Sequence, residues 1–256
     1  MNKVLKIIGI VIGVCSVLAL LGFVGSMRSS ALCEKVEIVN HTEYDAQLVK
    51  NETVLAAIQA VEKPVKGRPM NLVDTRSIEE GVEALPYVKS ATAYKTIDKK
   101  IVVELNERKI IARLIDANGI SAFLDSDGRI LPKLQKVYLR LPVVSGQFKL
   151  EKQKLAFGYS CVGTGAIEDI YTYVSLVVAS EFWKAQLQQT FVDGEGNFTA
   201  IPQVGNHEIE FGSVEGIENK LMKLAAFYEQ GMNEARWNKY RTINLKYEDQ
   251  IVCTKN

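Results

Sequence analysis

The sequence predicts an α+β fold: a single transmembrane helix, then a β-α-α-β-β domain, then a mixed β-rich domain with helices. Three observations carry this expectation. An uncharged apolar run extends from Ile7 to Val24, helical and strand periodicities succeed one another between Val36 and Glu107, and short strands broken by Asp-Gly turns follow.

The apolar run is eighteen residues long, the lower limit for a helix that crosses a bilayer. Val4 and Leu5 lengthen it, because the aliphatic stem of Lys6 can snorkel to the headgroups. The amino terminus, Lys3 and Lys6 outweigh Arg28, so the positive-inside rule keeps Met1 to Lys6 in the cytoplasm and sends the remainder across. The expected boundaries are a tail at 1–6 and a transmembrane helix at 7–27. A cleaved signal peptide shares the basic start, but the run exceeds a typical h-region and Gly25-Ser26-Met27-Arg28 is a poor cleavage site.

Charge and cysteine content exclude several classes. Lysine plus arginine total 31 against 30 for aspartate plus glutamate, so no basic surface advertises nucleic acid. Of the four cysteines, Cys15 lies in the run, Cys33 just beyond it, and Cys161 and Cys253 far apart. No Cys-x-x-Cys spacing suggests zinc, and a Cys161–Cys253 bridge is left open.

In the first region, Val36-Glu37-Ile38-Val39 alternates as a half-buried strand does. Val54, Leu55, Ile58 and Val61 then share one helical face, which stops before Pro64. Asp74 or Thr75 caps a second helix with Ile78, Val82 and Leu85 on its apolar face, ended by Pro86. Glu79-Glu80 reads as its solvated side. Lys89 to Lys95 and Ile101 to Glu107 have strand composition and are joined by a turn near Asp98.

These residues resemble a known family. Leu72-Val73-Asp74-Thr75, Leu85-Pro86-Tyr87-Val88 with Ala91, and Ile101-Val102-Val103-Glu104-Leu105 followed by Glu107-Arg108 and Ala112 are similar to the POTRA domain of the bacterial division proteins FtsQ and DivIB. One departure is the family's proline after Glu-Arg, replaced near Ile110 or Ile111. The expected domains are POTRA at 33–107 and an FtsQ-type β domain at 108–256.

The second region continues the resemblance. Ala122 to Ile130 reads as a hairpin around Asp127-Gly128. Leu141-Pro142-Val143-Val144-Ser145-Gly146 resembles the family's Leu-Pro-x-x-x-Gly. Ile167, Ile170, Tyr171, Val174 and Val178 mark a helix, and two strands flank the turn Asp193 to Asn197. His207 to Phe211 is a strand, Ile217 to Met232 a long helix, and Thr242 to Tyr247 with Gln250 to Cys253 a terminal strand pair. Asn244-Leu245-Lys246-Tyr247 resembles the family's Asp-Leu-Arg-Tyr.

Signs of catalysis are weak. Asp125-Ser126-Asp127-Gly128 lacks the distal glutamate of a calcium loop and reads as a turn. Gly163-Thr164-Gly165 precedes a helix but has neither the lysine of a P-loop nor a third glycine. The histidines are His41 and His207, and His207 falls on the face of Ile209 and Phe211 as a strand residue does. No serine has nucleophile-elbow glycines around it, and Cys161 has no histidine close in sequence.

The expected function is a non-catalytic, membrane-anchored scaffold of the division machinery, with no cofactor and no nucleic acid. The resemblance implies a single-pass inner-membrane protein at the division septum, with its bulk in the periplasm. It further implies FtsB and FtsL-type partners and septal wall synthases. An anchored cell-wall enzyme with an unrecognised site, or a POTRA-containing outer-membrane assembly factor, stands as the alternative. The expected partner-binding residues lie at the carboxy terminus: Lys246, Tyr247, Glu248, Gln250, Ile251 and Cys253. A terminal edge strand offers free amides and carbonyls to an incoming strand. Packing of Tyr247 on the Ile217 to Met232 helix is the competing reading.

Overall fold

The computed structural model describes residues 12–19, 31–45, 47–62, 64–134, 137–155, 158–231, 239–248 and 250–255. The chain divides into two units, Met1–Glu107 and Arg108–Asn256.

Among the described residues no helix is long and apolar enough to cross a membrane. Residues 12–19 are helical. The lack of a spanning helix among the described residues corrects the expected transmembrane helix at 7–27, the single-pass inner-membrane placement and the anchored part of the functional reading. Hydropathy reports how apolar a run is, whereas a span also needs continuous helix of sufficient length. The rest of that run and the tail at 1–6 lie outside the described residues.

The first unit holds β1 (Lys35–His41), α1 (Asn51–Val61), a 3-10 turn (Met70–Leu72), α2 (Thr75–Glu83), β2 (Val88–Lys95) and β3 (Lys100–Glu107). The sheet order is β1-β3-β2, with β1 parallel and β2 antiparallel to the central β3. The central position explains the unbroken Ile101-Val102-Val103, which is buried throughout. One sheet face meets both helices, and Val54, Ile58, Ile78, Val82, Leu85, Val88, Ile101, Val103 and Leu105 are buried there.

Helix α2 starts where Asp74 accepts from the Arg76 amide at 3.0 Å and from Ser77 Oγ at 2.7 Å. The Ser77 bond, followed by the backbone amides, holds the Asp74 carboxyl below the usual carboxylate range. Buried Glu62 receives the Asp74 amide at 3.1 Å and pairs with Arg68, tying the α1–α2 connection together. The helices approach closely at Gly81, where a Cβ would sit 2.9 Å from a Val61 methyl. Glu107 closes the unit's far end by accepting from the Leu48 and Val49 amides and from Asn40 Nδ2.

The second unit begins with β4 (Ile110–Asp116), β5 (Ser121–Asp125), β6 (Ile130–Pro132) and β7 (Val143–Gly146), followed by the paired β8 (Lys149–Leu155) and β9 (Gly158–Thr164). Then come α3 (Ile167–Ala179), α4 (Glu181–Gln186), β10 (Gln189–Val192), β11 (Phe198–Ile201), β12 (Glu208–Gly212), α5 (Ile217–Gly231), β13 (Tyr240–Asn244) and β14 (Val252–Lys255). Among the described residues nine strands form one sheet in the order β14-β13-β12-β11-β10-β7-β4-β5-β6. The inward residues Leu114, Val144, Val192, Phe198, Ile209, Phe211 and Ile243 share a core with Ile170, Tyr173 and Val174 of α3 and Leu221 and Leu224 of α5. Tyr173 also donates or accepts a buried hydrogen bond with Thr190 Oγ1 at 3.0 Å.

Gly146 shows why a small residue closes β7. Its φ is +155° and an added Cβ would lie 2.1 Å from the Val192 carbonyl oxygen, so no side chain fits beside the paired β10.

Candidate functional site

The sheet's two ends are unlike. β6 is three residues long, contains Pro132, and lies against the β8–β9 hairpin, three features that blunt an edge. At the other end β14 pairs antiparallel with β13, with Ile243 opposite Cys253 and Asn244 opposite Val252. Among the described residues no strand covers its outer side. Alternate amides and carbonyls of such an edge point away from the sheet and are free to receive another strand.

The approach to β14 is held from both sides. Ile243 and Leu245 point into the core and are fully buried. Between them Asn244 donates to Glu210 Oε2 at 2.8 Å, and its own side-chain oxygen accepts the Lys246 amide at 3.0 Å. Lys246 Nζ lies 3.4 Å from Glu210 Oε2. The chain then bends, and Lys223 Nζ of α5 donates to the Tyr247 and Glu248 carbonyls at 2.6 and 2.9 Å. Carbonyls held by an ammonium on the long helix fix where the last strand starts.

The structure divides the six expected residues. Lys246, Tyr247, Glu248 and Gln250 are exposed, whereas Ile251 and Cys253 are half-buried against the core. Tyr247 is 50% exposed, and its link to α5 runs through its carbonyl. Strand structure ends at Asn244 and resumes at Val252, and the described residues Lys246 to Glu248 and Gln250 lie outside both strands. Burial pushes the Cys253 thiol up, and the thiol is free, so no bridge joins it to Cys161. The described side chains do not include Cys161. Val252, Thr254 and Lys255, which the sequence reading did not single out, are exposed on the strand itself. The alternation of Ile251, Cys253 and Lys255 with Val252 and Thr254 was the available signal.

The remaining candidates are structural. Asp125 Oδ1 accepts from the Asp127 and Arg129 amides at 2.9 and 2.7 Å, and its Oδ2 meets Arg108 Nη1 at 3.0 Å. His207 is buried, with Nε2 3.0 Å from Tyr228 OH. The cleft beside Gly163 and Gly165 is lined by Glu168 and Asp169, which repel an anion at the start of α3. Among the described residues no group of three or more histidine, cysteine or acidic side chains could hold a metal ion.

The described residues thus define a two-unit α+β class: a β-α-α-β-β domain followed in sequence by a larger sheet whose last strand, β14, is unpaired on its outer side. Residues 31–106 match the model of a POTRA-like domain, and residues 109–254 match the model described as FtsQ/DivIB, C-terminal related. The chain is 24% identical over 242 residues to the cell division protein FtsQ of Corynebacterium glutamicum, covering 93% of this chain and 96% of that protein. It is 30% identical over 84 residues to the cell division protein FtsQ of Bradyrhizobium diazoefficiens, covering 32% of this chain and 25% of that one. This chain belongs to the FtsQ/DivIB family. Membership implies a protein–protein interaction role in assembling the division machinery, and a non-enzymatic one.

Proposed function

We propose that the chain serves division as a non-catalytic scaffold that takes up a segment of an FtsB or FtsL-type partner as an added strand along β14, and so brings septal wall synthases into the assembly. The observation that carries this reading is the contrast between the open β14 and the blunted β6 at the two ends of one sheet. Main-chain pairing supplies affinity in such a complex, and side chains around the edge supply specificity. Tyr247 offers an exposed ring with a polar tip, a combination favoured at interface hot spots. Lys246, Glu248 and Gln250 surround it on the bend. Ile251 and Cys253 seat the strand on the core and so present Val252 and Thr254 outward, with Lys255 exposed at the strand's end.

The test is calorimetric titration of the chain with an FtsB-type segment. Tyr247→Ala should weaken binding by about 30-fold or more, the scale of a hot-spot residue. Proline at Cys253 and, separately, at Thr254 brackets the strand, because one of the two amides faces outward and one faces β13. Folded variants that all bind with unchanged affinity would remove this edge from the account. The POTRA-like match favours a second reading, a POTRA-containing outer-membrane assembly factor. Binding of unfolded β-barrel polypeptide in place of the FtsB-type segment would favour it.

A further inference from the structure

The POTRA-like domain has an outer strand of its own, and its chemistry is the reverse of that at β14. Among the described residues β2 has a strand, β3, on one side only. The amide of Ala91 donates to Glu83 Oε1 at 3.0 Å, and the amide of Ala93 donates to Glu79 Oε1 at 2.7 Å. Both carboxylates come from α2, which packs against this strand. Residues four apart on a helix are about 6 Å apart, and alternate residues of a strand about 6.6 Å, so two glutamates one turn apart reach two successive outward amides. The small, buried side chains of Ala91 and Ala93 let the helix lie close enough. Glu79, which reads from sequence as a solvated residue, is half-buried.

We propose that Glu79 and Glu83 close the β2 edge to strand addition, so that β2 pairs with a second copy of this chain only when both carboxylates are removed. An uncovered edge is self-complementary, since two copies of one strand can pair antiparallel about a two-fold axis. Here the donors an incoming strand needs are already taken, and the carboxylates flanking them repel its carbonyl oxygens. The closure goes beyond the scaffold reading and does not depend on it.

The full chain and three variants test this by amide hydrogen exchange and sedimentation. In the unsubstituted chain the Ala91 and Ala93 amides should exchange about tenfold more slowly than in Glu79→Ala/Glu83→Ala at a concentration where that variant is monomeric. As concentration rises the double variant should associate beyond the unsubstituted chain, and adding Ala93→Pro, which deletes one outward amide, should abolish the excess. Glu79→Gln/Glu83→Gln keeps both acceptor oxygens without charge and should stay closed. A folded double-alanine variant that does not associate beyond the unsubstituted chain overturns the proposal, as does association that survives Ala93→Pro or appears equally in the glutamine variant. Should the double-alanine variant fail to fold, fast exchange at Ala91 and Ala93 in the unsubstituted chain overturns it, and slow exchange with a closed glutamine variant supports it.

Discussion

Replacing Asp125 with alanine tests how the second unit is fastened at its start. Asp125 and Arg108 are 1% and 5% exposed and meet at 3.0 Å. The second carboxylate on Arg108, Asp127, lies at 3.4 Å with its side chain 39% exposed. Removing one partner of a buried pair costs about 3 to 5 kcal/mol, chiefly because the other charge stays buried. Asp127 offsets part of that, whereas loss of the two turn amides bound by Oδ1 adds about 1 kcal/mol each. The net expectation for Asp125→Ala is about 4 kcal/mol. Asp125→Asn keeps an oxygen for the turn and loses only the charge, so about half that loss is expected. Both tryptophans, Trp183 and Trp237, follow position 108, so tryptophan fluorescence during urea unfolding reports this unit and not the first. A loss below about 1 kcal/mol for Asp125→Ala at unchanged denaturant slope would show that Arg108 is not dependent on this carboxylate, and the argument would fail.

Leu85→Ala should cost about 2 to 5 kcal/mol, because Leu85 is 3% exposed in the core of the first unit; a circular-dichroism melt of that unit unchanged by the substitution would place it outside the core. Gly146→Ala should destabilise the second unit by about 3 kcal/mol, combining positive-φ strain with a backbone overlap against Val192 that the sheet must relax, and an unfolding midpoint equal to that of the unsubstituted chain would contradict it. Burial pushes the phenols of Tyr173 and Tyr228 well above the ordinary tyrosine range. Their contribution is therefore intact below about pH 10 and is lost above it, as the unfolded chain releases protons that the folded chain keeps. An ultraviolet titration should show both phenols staying protonated until the protein unfolds, and their ionisation in the folded state near pH 10 would refute this.

The β-α-α-β-β order was legible because each element there carries its own signal. Ile78, Val82 and Leu85 have helical spacing, the Ile101 run has strand character, and Pro64 and Pro86 fall where helices stop. In the second unit the hairpin around Asp127-Gly128 was legible for the same reason. The pairing of β4, β7 and β10, all parallel, was not, because parallel neighbours are joined through distant segments and leave no local mark. The β8–β9 hairpin also escaped notice: Lys149, Glu151, Lys152 and Lys154 give β8 a charged pattern with little apolar alternation. At the carboxy terminus Asn244-Leu245-Lys246-Tyr247 keeps strand periodicity, yet the strand stops at Asn244 because a lysine on α5 holds the next carbonyls in a bend. Such a tether is a tertiary contact and cannot be read from the segment it holds. The capping of β2 by Glu79 and Glu83 was hidden likewise, since an acidic helix face looks solvated until the strand beside it is placed. The apolar run near the amino terminus gave the reading that needed correcting, because hydropathy without helix length does not establish a span.

Hydrogen exchange at Val252 to Lys255, measured with and without an FtsB-type segment, bears most directly on the scaffold reading. Strand addition predicts that alternate amides of β14, those facing away from β13, gain protection on binding, while those of Ile130 and Leu131 at the opposite end of the sheet do not change. A segment that binds without protecting any amide of β14 would contradict it, and so would protection that appears along Val88–Lys95 instead.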